Sequence, residues 1–158
     1  MRKKIFILLT IMTIALSACN ANIQRNDDGS FTVETTVSQA ELQDLINSSI
    51  ADPLVQDITV SLQNGYILVN GTRQRLNNAN ETDTLSFRLD LGMSNGNLIA
   101  SVSNAQIDGA AIDEARVSHW NQTIANRLSN FGGRSENAKL QSVSITSNAV
   151  TMIWNVSR

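Results

Sequence analysis

The chain has 158 residues, a formal net charge of −2 and one cysteine, Cys19. Mild acidity argues against nucleic acid and against a polybasic membrane-binding face, and a lone cysteine excludes an intrachain disulfide and a cysteine-ligated zinc. About 140 residues follow the first eighteen, enough for one domain with one hydrophobic core.

Residues MRKKIFILLTIMTIALSAC open on Arg2, Lys3 and Lys4, run apolar from Ile5 to Leu16 and end on small residues before Cys19. This is the order of a secretion signal, and the apolar run is too short for a comfortable membrane span. Leu16-Ser17-Ala18-Cys19 resembles the lipobox of bacterial lipoproteins. That resemblance implies a signal peptide over 1–18, cleavage before Cys19 and acylation of its sulfur by palmitate-type chains, with the lipid as membrane anchor. An exported protein on the outer leaflet of the cell membrane, or in the outer membrane, is the expected address. Asn20 stands where enteric lipoproteins retained at the inner membrane carry Asp.

Residues 20–30, NANIQRNDDGS, are polar without an apolar period and predict a short tether, so that 19–30 is the acylated cysteine with its tether and 31–158 the single domain. Phe31, Val33 and Val37 begin a strand. Ser38 stands three residues before Glu41, a capping-box spacing, and Leu42, Leu45, Ile46 and Ile50 share one helical face, so a helix is predicted from Gln39 to Ile50, with Pro53 ending it.

The period then changes to two. Ile58, Val60 and Leu62 alternate with polar residues, Asn64-Gly65 marks a hairpin turn, and Tyr66 to Val69 returns. A polar loop spans Gln74 to Asp83. Leu85, Phe87, Leu89, Leu91 and Met93 alternate strictly, Ser94-Asn95-Gly96 turns the chain, Asn97 to Ile107 runs back, and Asp108-Gly109 ends the hairpin.

From Ile112 to Phe131 the spacing is helical: Val117, Trp120, Ile124, Leu128 and Phe131 form the longest apolar stripe after the leader, Asp113 and Glu114 suit the positive end of the helix dipole, and Gly132-Gly133 suits its close. After a polar loop, Val143 and Ile145 lie on one strand, Ser147-Asn148 turns, and Val150, Met152, Trp154 and Val156 alternate to the end. The order predicts an α+β fold, a curved antiparallel sheet of about six to seven strands packed around a long amphipathic helix, with a second, shorter helix.

Chemistry is sparse. His119 is the only histidine, so a histidine metal cluster is excluded, and no Gly-x-Ser-x-Gly elbow, Ser-x-x-Lys pair, phosphate-cradling loop or Rossmann fingerprint occurs. No catalytic residue, metal site or cofactor is expected. Asp27-Asp28-Gly29 is half of a calcium loop without its distal ligands.

The lipobox, the Ser38-Gln39-Ala40-Glu41-Leu42 helix start, the alternating hairpins, Ala105 to Ala110 before the second helix and the closing strand pair together resemble bacterial exported domains of the tubular lipid-binding type. That resemblance implies a sheet wrapped round a helix and sheltering lipid tails. The expected function is a non-enzymatic, membrane-anchored envelope lipoprotein binding a lipid or other apolar ligand in a groove walled by Phe87, Leu89, Val102, Trp120, Ile124 and Trp154. The alternative is a structural or interaction module whose core those same side chains fill, binding protein or polysaccharide on its polar sheet face.

Overall fold

Asn95 and Gly96 carry positive φ, 52° and 75°. That left-handed pair is what a two-residue hairpin turn requires, and Asn and Gly adopt it at least cost. In the computed structural model, which describes residues 20–132 and 136–157, this turn folds two long strands onto each other. The leader, Cys19 and Gly133 lie outside the described residues. In order, the elements are β1 (Asn20–Arg25), β2 (Phe31–Ser38), α1 (Gln39–Ile50), β3 (Val55–Gln63), β4 (Tyr66–Gln74), β5 (Thr82–Ser94), β6 (Asn97–Ile107), β7 (Ala110–Ala111), α2 (Glu114–Ser129), a 3₁₀ turn (Asn130–Gly132), β8 (Ala138–Ile145) and β9 (Ala149–Val156).

The fold is α+β and its strand pairs are antiparallel, but the strands form two sheets in place of the expected single one. Their orders are β1-β2-β9-β8 and β3-β4-β5-β6-β7. The reason lies at the strand edges. Asn121 on α2 accepts a hydrogen bond from the Val102 N–H of β6 at 2.7 Å, and Gln43 on α1 accepts one from the Val60 N–H of β3 at 3.3 Å. Gln43 thus meets the β3 edge of the five-stranded sheet and Asn121 the stretch of β6 that the two-residue β7 leaves unpaired, while β9 pairs with β2 and β8 in the other sheet. β8 in turn meets both long hairpins at their tips: the Leu140 N–H donates to the Gly96 carbonyl at 2.8 Å and the Gly65 N–H to the Ile145 carbonyl at 3.0 Å. A Cβ at Gly96 would come within 2.9 Å of the exposed Lys139 side chain, which can move aside, so it is the φ of 75° that favours glycine there.

The helices form where the spacing places them. α1 realises the full capping box, with Ser38 accepting from the Glu41 N–H and the Glu41 carboxylate accepting from the Ser38 N–H at 2.8 Å. It closes on Ala51 in the left-handed region, two residues before Pro53. α2 is shorter than expected. Asp113 caps it from outside by accepting the Arg116 N–H at 2.9 Å, while the Ile112 N–H still donates to Ala105 on the sheet. Its last turn tightens through Asn130 into the 3₁₀ turn, which ends on Gly132. It lies along β6 as an edge cover and is not a shaft wrapped by the sheet.

Residues 20–30 are not a tether. Asn20↔Thr36 through Arg25↔Phe31 are paired, and Asp27-Asp28-Gly29 forms the connecting turn, with the Asp28 carboxylate accepting from the Ser30 N–H at 2.9 Å and from its hydroxyl at 2.7 Å. β1 overhangs the core, both its faces meet solvent, and it therefore has no apolar period to read; Ile23 is 64 % exposed.

The core is one continuous cluster drawn from both sheets and both helices, including Val37, Leu42, Ile46, Val60, Ile67, Leu85, Leu128, Leu140 and Met152. Leu45 and Ile50 join the α1 face, and Val117 and Phe131 are half-buried at the ends of the α2 stripe. A bulge opposite Phe87, where Asn104 takes φ 53°, shifts the phase of β6 so that Val102 and Ala105 both point inward.

Candidate functional site

The six residues expected to wall a groove are brought together, as core. Phe87 and Leu89 descend from β5, Val102 from β6, Trp120 and Ile124 from α2 and Trp154 from β9, and each is 7 % exposed or less. The Phe87 and Trp120 rings pack with centroids 5.5 Å apart at a tilt of 35°. Trp154 reaches the interior of the four-stranded sheet, where its Nε1–H donates to the Thr35 hydroxyl at 3.3 Å. All six belong to the one hydrophobic cluster of the core.

The positions that face away from this core supply the polar features. On the outer face of the five-stranded sheet, Tyr66, Leu68 and Asn70 of β4 lie beside Ser86, Arg88 and Asp90 of β5, exposed or half-buried, because they alternate with inward residues along their strands. The Arg88 guanidinium stacks over the Tyr66 ring at 4.2 Å and holds Asp90 with two hydrogen bonds of 2.8 and 2.6 Å. The bond to Arg88 lowers the Asp90 carboxyl below its ordinary value and raises the guanidinium above its own, so the pair stays ionised and locally neutral. Asn104, lifted by the bulge, completes a shallow depression of about 330 Å³ with Asn70, Ser86 and Arg88. Sequence reading passed over these residues because none belongs to a motif; the signal was the alternation itself, which marks the outer position as plainly as the inner.

Two other features are structural in character. Arg75 binds Glu81, Asp83 and Asp108, tying the β4–β5 loop to the turn after β6. His119 is exposed and lines a depression with Asp52, Arg73 and Arg116, in which Arg73 Nε pairs with Asp52 at 3.0 Å. Burial acts to raise the Asp52 carboxyl, but the Leu54 N–H and Arg73 outweigh it and the net shift is downward. A third depression, an open groove of about 380 Å³ between α1 and the end of α2, has Leu45 and Phe131 on its floor and Glu41, Asp44 and Arg127 on its rim. Among the described residues no group of three or more His, Cys, Asp or Glu side chains is placed to hold a metal ion, and no helix is long and apolar enough to cross a membrane.

Set beside known proteins, the chain matches no family model, no curated protein and no solved structure.

Proposed function

We propose that this chain is an exported lipoprotein, anchored through an acylated Cys19, whose domain is a non-enzymatic interaction module that binds a polysaccharide of the cell envelope on the outer face of the five-stranded sheet. The observation that carries the reading is the division of labour between the two faces. The apolar side chains that a lipid groove would need are engaged in the core, while the opposite face offers an aromatic ring, amides and hydroxyls around the internally neutralised Arg88–Asp90 pair. Such a face suits a neutral, hydroxyl-rich polymer better than a strongly charged one, since its hydrogen-bonding groups outnumber its uncompensated charges.

The test is retention of the protein on insoluble envelope polysaccharide. Tyr66→Ala, which also releases Arg88, is expected to weaken retention about tenfold, a loss of about 1.4 kcal/mol. Retention unchanged in that variant, with a preserved melting temperature, sinks the reading. The open groove between α1 and α2 favours a second one, an apolar ligand lying on Leu45 and Phe131. Fluorescent fatty acid displaced by Leu45→Trp, with Tyr66→Ala inert, would select it.

A further inference from the structure

Arg73 follows Val69 and Gly71 in the inward set of β4, so the alternation that buries those two brings a guanidinium to the helix side of the sheet. Its Nε–H donates to the Asp52 carboxylate, in the turn after α1, at 3.0 Å, and only 16 % of the side chain stays exposed. Both oxygens of Asp52 are engaged, since the other accepts the Leu54 N–H at 2.9 Å. The guanidinium is not used up. Among the described residues Arg73 donates through Nε alone, which leaves the protons of both terminal nitrogens of a largely buried cation without an acceptor.

The first half of α2 lines the same depression and adds further donors. Trp120 is 2 % exposed, and among the described residues its indole N–H has no hydrogen-bond partner. No fully buried side-chain nitrogen or oxygen lacks a partner among those residues, so the sliver of Trp120 that meets solvent includes this N–H, and the depression that Trp120 lines is where it opens. Arg116 and His119 stand one helical turn apart on the rim. Arg116 meets Asp113 only at 3.6 Å, longer than a hydrogen bond, because that carboxylate turns its other oxygen to cap the helix. The depression holds about 370 Å³, and Ile50, Ala51 and Pro53 form its apolar wall. Two guanidiniums thus share it with one carboxylate that is already neutralised, and the surplus is positive.

We propose that this depression is a binding site for a small organic anion, a carboxylate on a short apolar body. Arg73, Arg116 and the Trp120 N–H hold the carboxylate, and the hydrocarbon lies against Ile50 and Pro53. Guanidiniums and an indole N–H donate and never accept, and the oxygens of Asp52 are taken, so a cation or a neutral donor finds no acceptor here. The site is distinct from the polar outer face of the five-stranded sheet, because Tyr66, Leu68 and Asn70 alternate with the inward set to which Arg73 belongs.

The experiment follows the indole N–H resonances of Trp120 and Trp154, the two tryptophans of the chain, in the isotope-labelled full chain held in a neutral detergent at low salt. Butyrate is the probe and butyramide its neutral isostere. Butyrate is expected to move the Trp120 resonance saturably while Trp154, bonded to Thr35 in the four-stranded sheet, stays in place as the check on the fold. Butyramide at the same concentrations is expected to leave both still. Arg116→Gln, on the exposed face of α2, is expected to weaken butyrate binding about tenfold, the loss of a charge-assisted contact. A Trp120 resonance that butyrate does not move overturns the site, and so does one that moves only together with Trp154. Butyramide acting as strongly as butyrate, or Arg116→Gln binding butyrate as tightly as the unmodified chain, overturns the assignment of an anion.

Discussion

Leu128 and Ile124 are fully buried, and the two side chains test the core in opposite ways. Leu128→Asp leaves a charge without a partner, a cost of several kcal/mol against a total stability of roughly 5 to 15. Circular dichroism should show that variant largely unfolded, while Asn126→Asp, on the exposed side of the same helix, should melt close to the unmodified protein. Ile124→Trp enlarges a site already filled beside Trp120, and overpacking is expected to cost about 1 to 3 kcal/mol, read as a lower midpoint in urea. An unchanged midpoint would reveal free space where the structure has packed side chains. Thr35→Val removes the acceptor of the Trp154 Nε1–H and is expected to cost about 1 to 3 kcal/mol, since the indole donor is then buried unsatisfied. The burial of these residues was legible in the sequence from their period. Whether they lined a space or filled it was not, because pockets and cores draw on the same side chains.

Elements were legible where local chemistry specifies them. Ser38 with Glu41, the Asn-Gly turns and the alternation of β5 each need only a few consecutive residues, and each is found at the position predicted, except that the inward set of β5 fades at Leu91 and leaves Met93 48 % exposed. β1 was missed because its pairing is specified by the backbone of β2 and by the Asp28 turn rather than by side chains that seek the core. The α2 boundaries moved inward for a similar reason: Ile112 is claimed by the sheet, through Ala105, before the helix begins. Asn121 bears on how elements are assembled. Replacing it by Leu leaves the Val102 N–H without its acceptor at the β6 edge, an expected loss of about 1 to 3 kcal/mol. Hydrogen exchange should then accelerate along β6 while β2 and β9 stay protected; equal acceleration in both sheets would mean that Asn121 supports the whole fold and not one edge.

For the molecule as a whole, the two sheets are fastened by backbone bonds through β8 and by one shared core, so they should melt together. Acid is the expected exception to its tolerance. Asp28 is lowered chiefly by the Ser30 hydroxyl, Asp90 by Arg88, and Asp52 by the Leu54 N–H and Arg73 acting against burial. A carboxyl with a depressed folded value contributes stability that is present above the ordinary 3.8 and is lost as pH falls through the lower folded value. The melting temperature should therefore vary little as pH is lowered to about 5 and drop below about 4, with Asp52→Asn blunting the drop. An acid limb unchanged in that variant would assign the sensitivity to other carboxyls.

The sequence by itself determined the antiparallel α+β class, both helices with their buried faces and the hairpin turns, because each is written in contiguous residues whose spacing obeys a fixed period or a fixed cap. Only the tertiary structure decided the rest. Two amides, Gln43 and Asn121, meet strand edges far from them in the chain and so divide the strands between two sheets. Arg88 reaches Tyr66 across neighbouring strands, and Asn20 reaches Thr36 across a turn, so the outer face and the first strand both follow from pairings that no local period records.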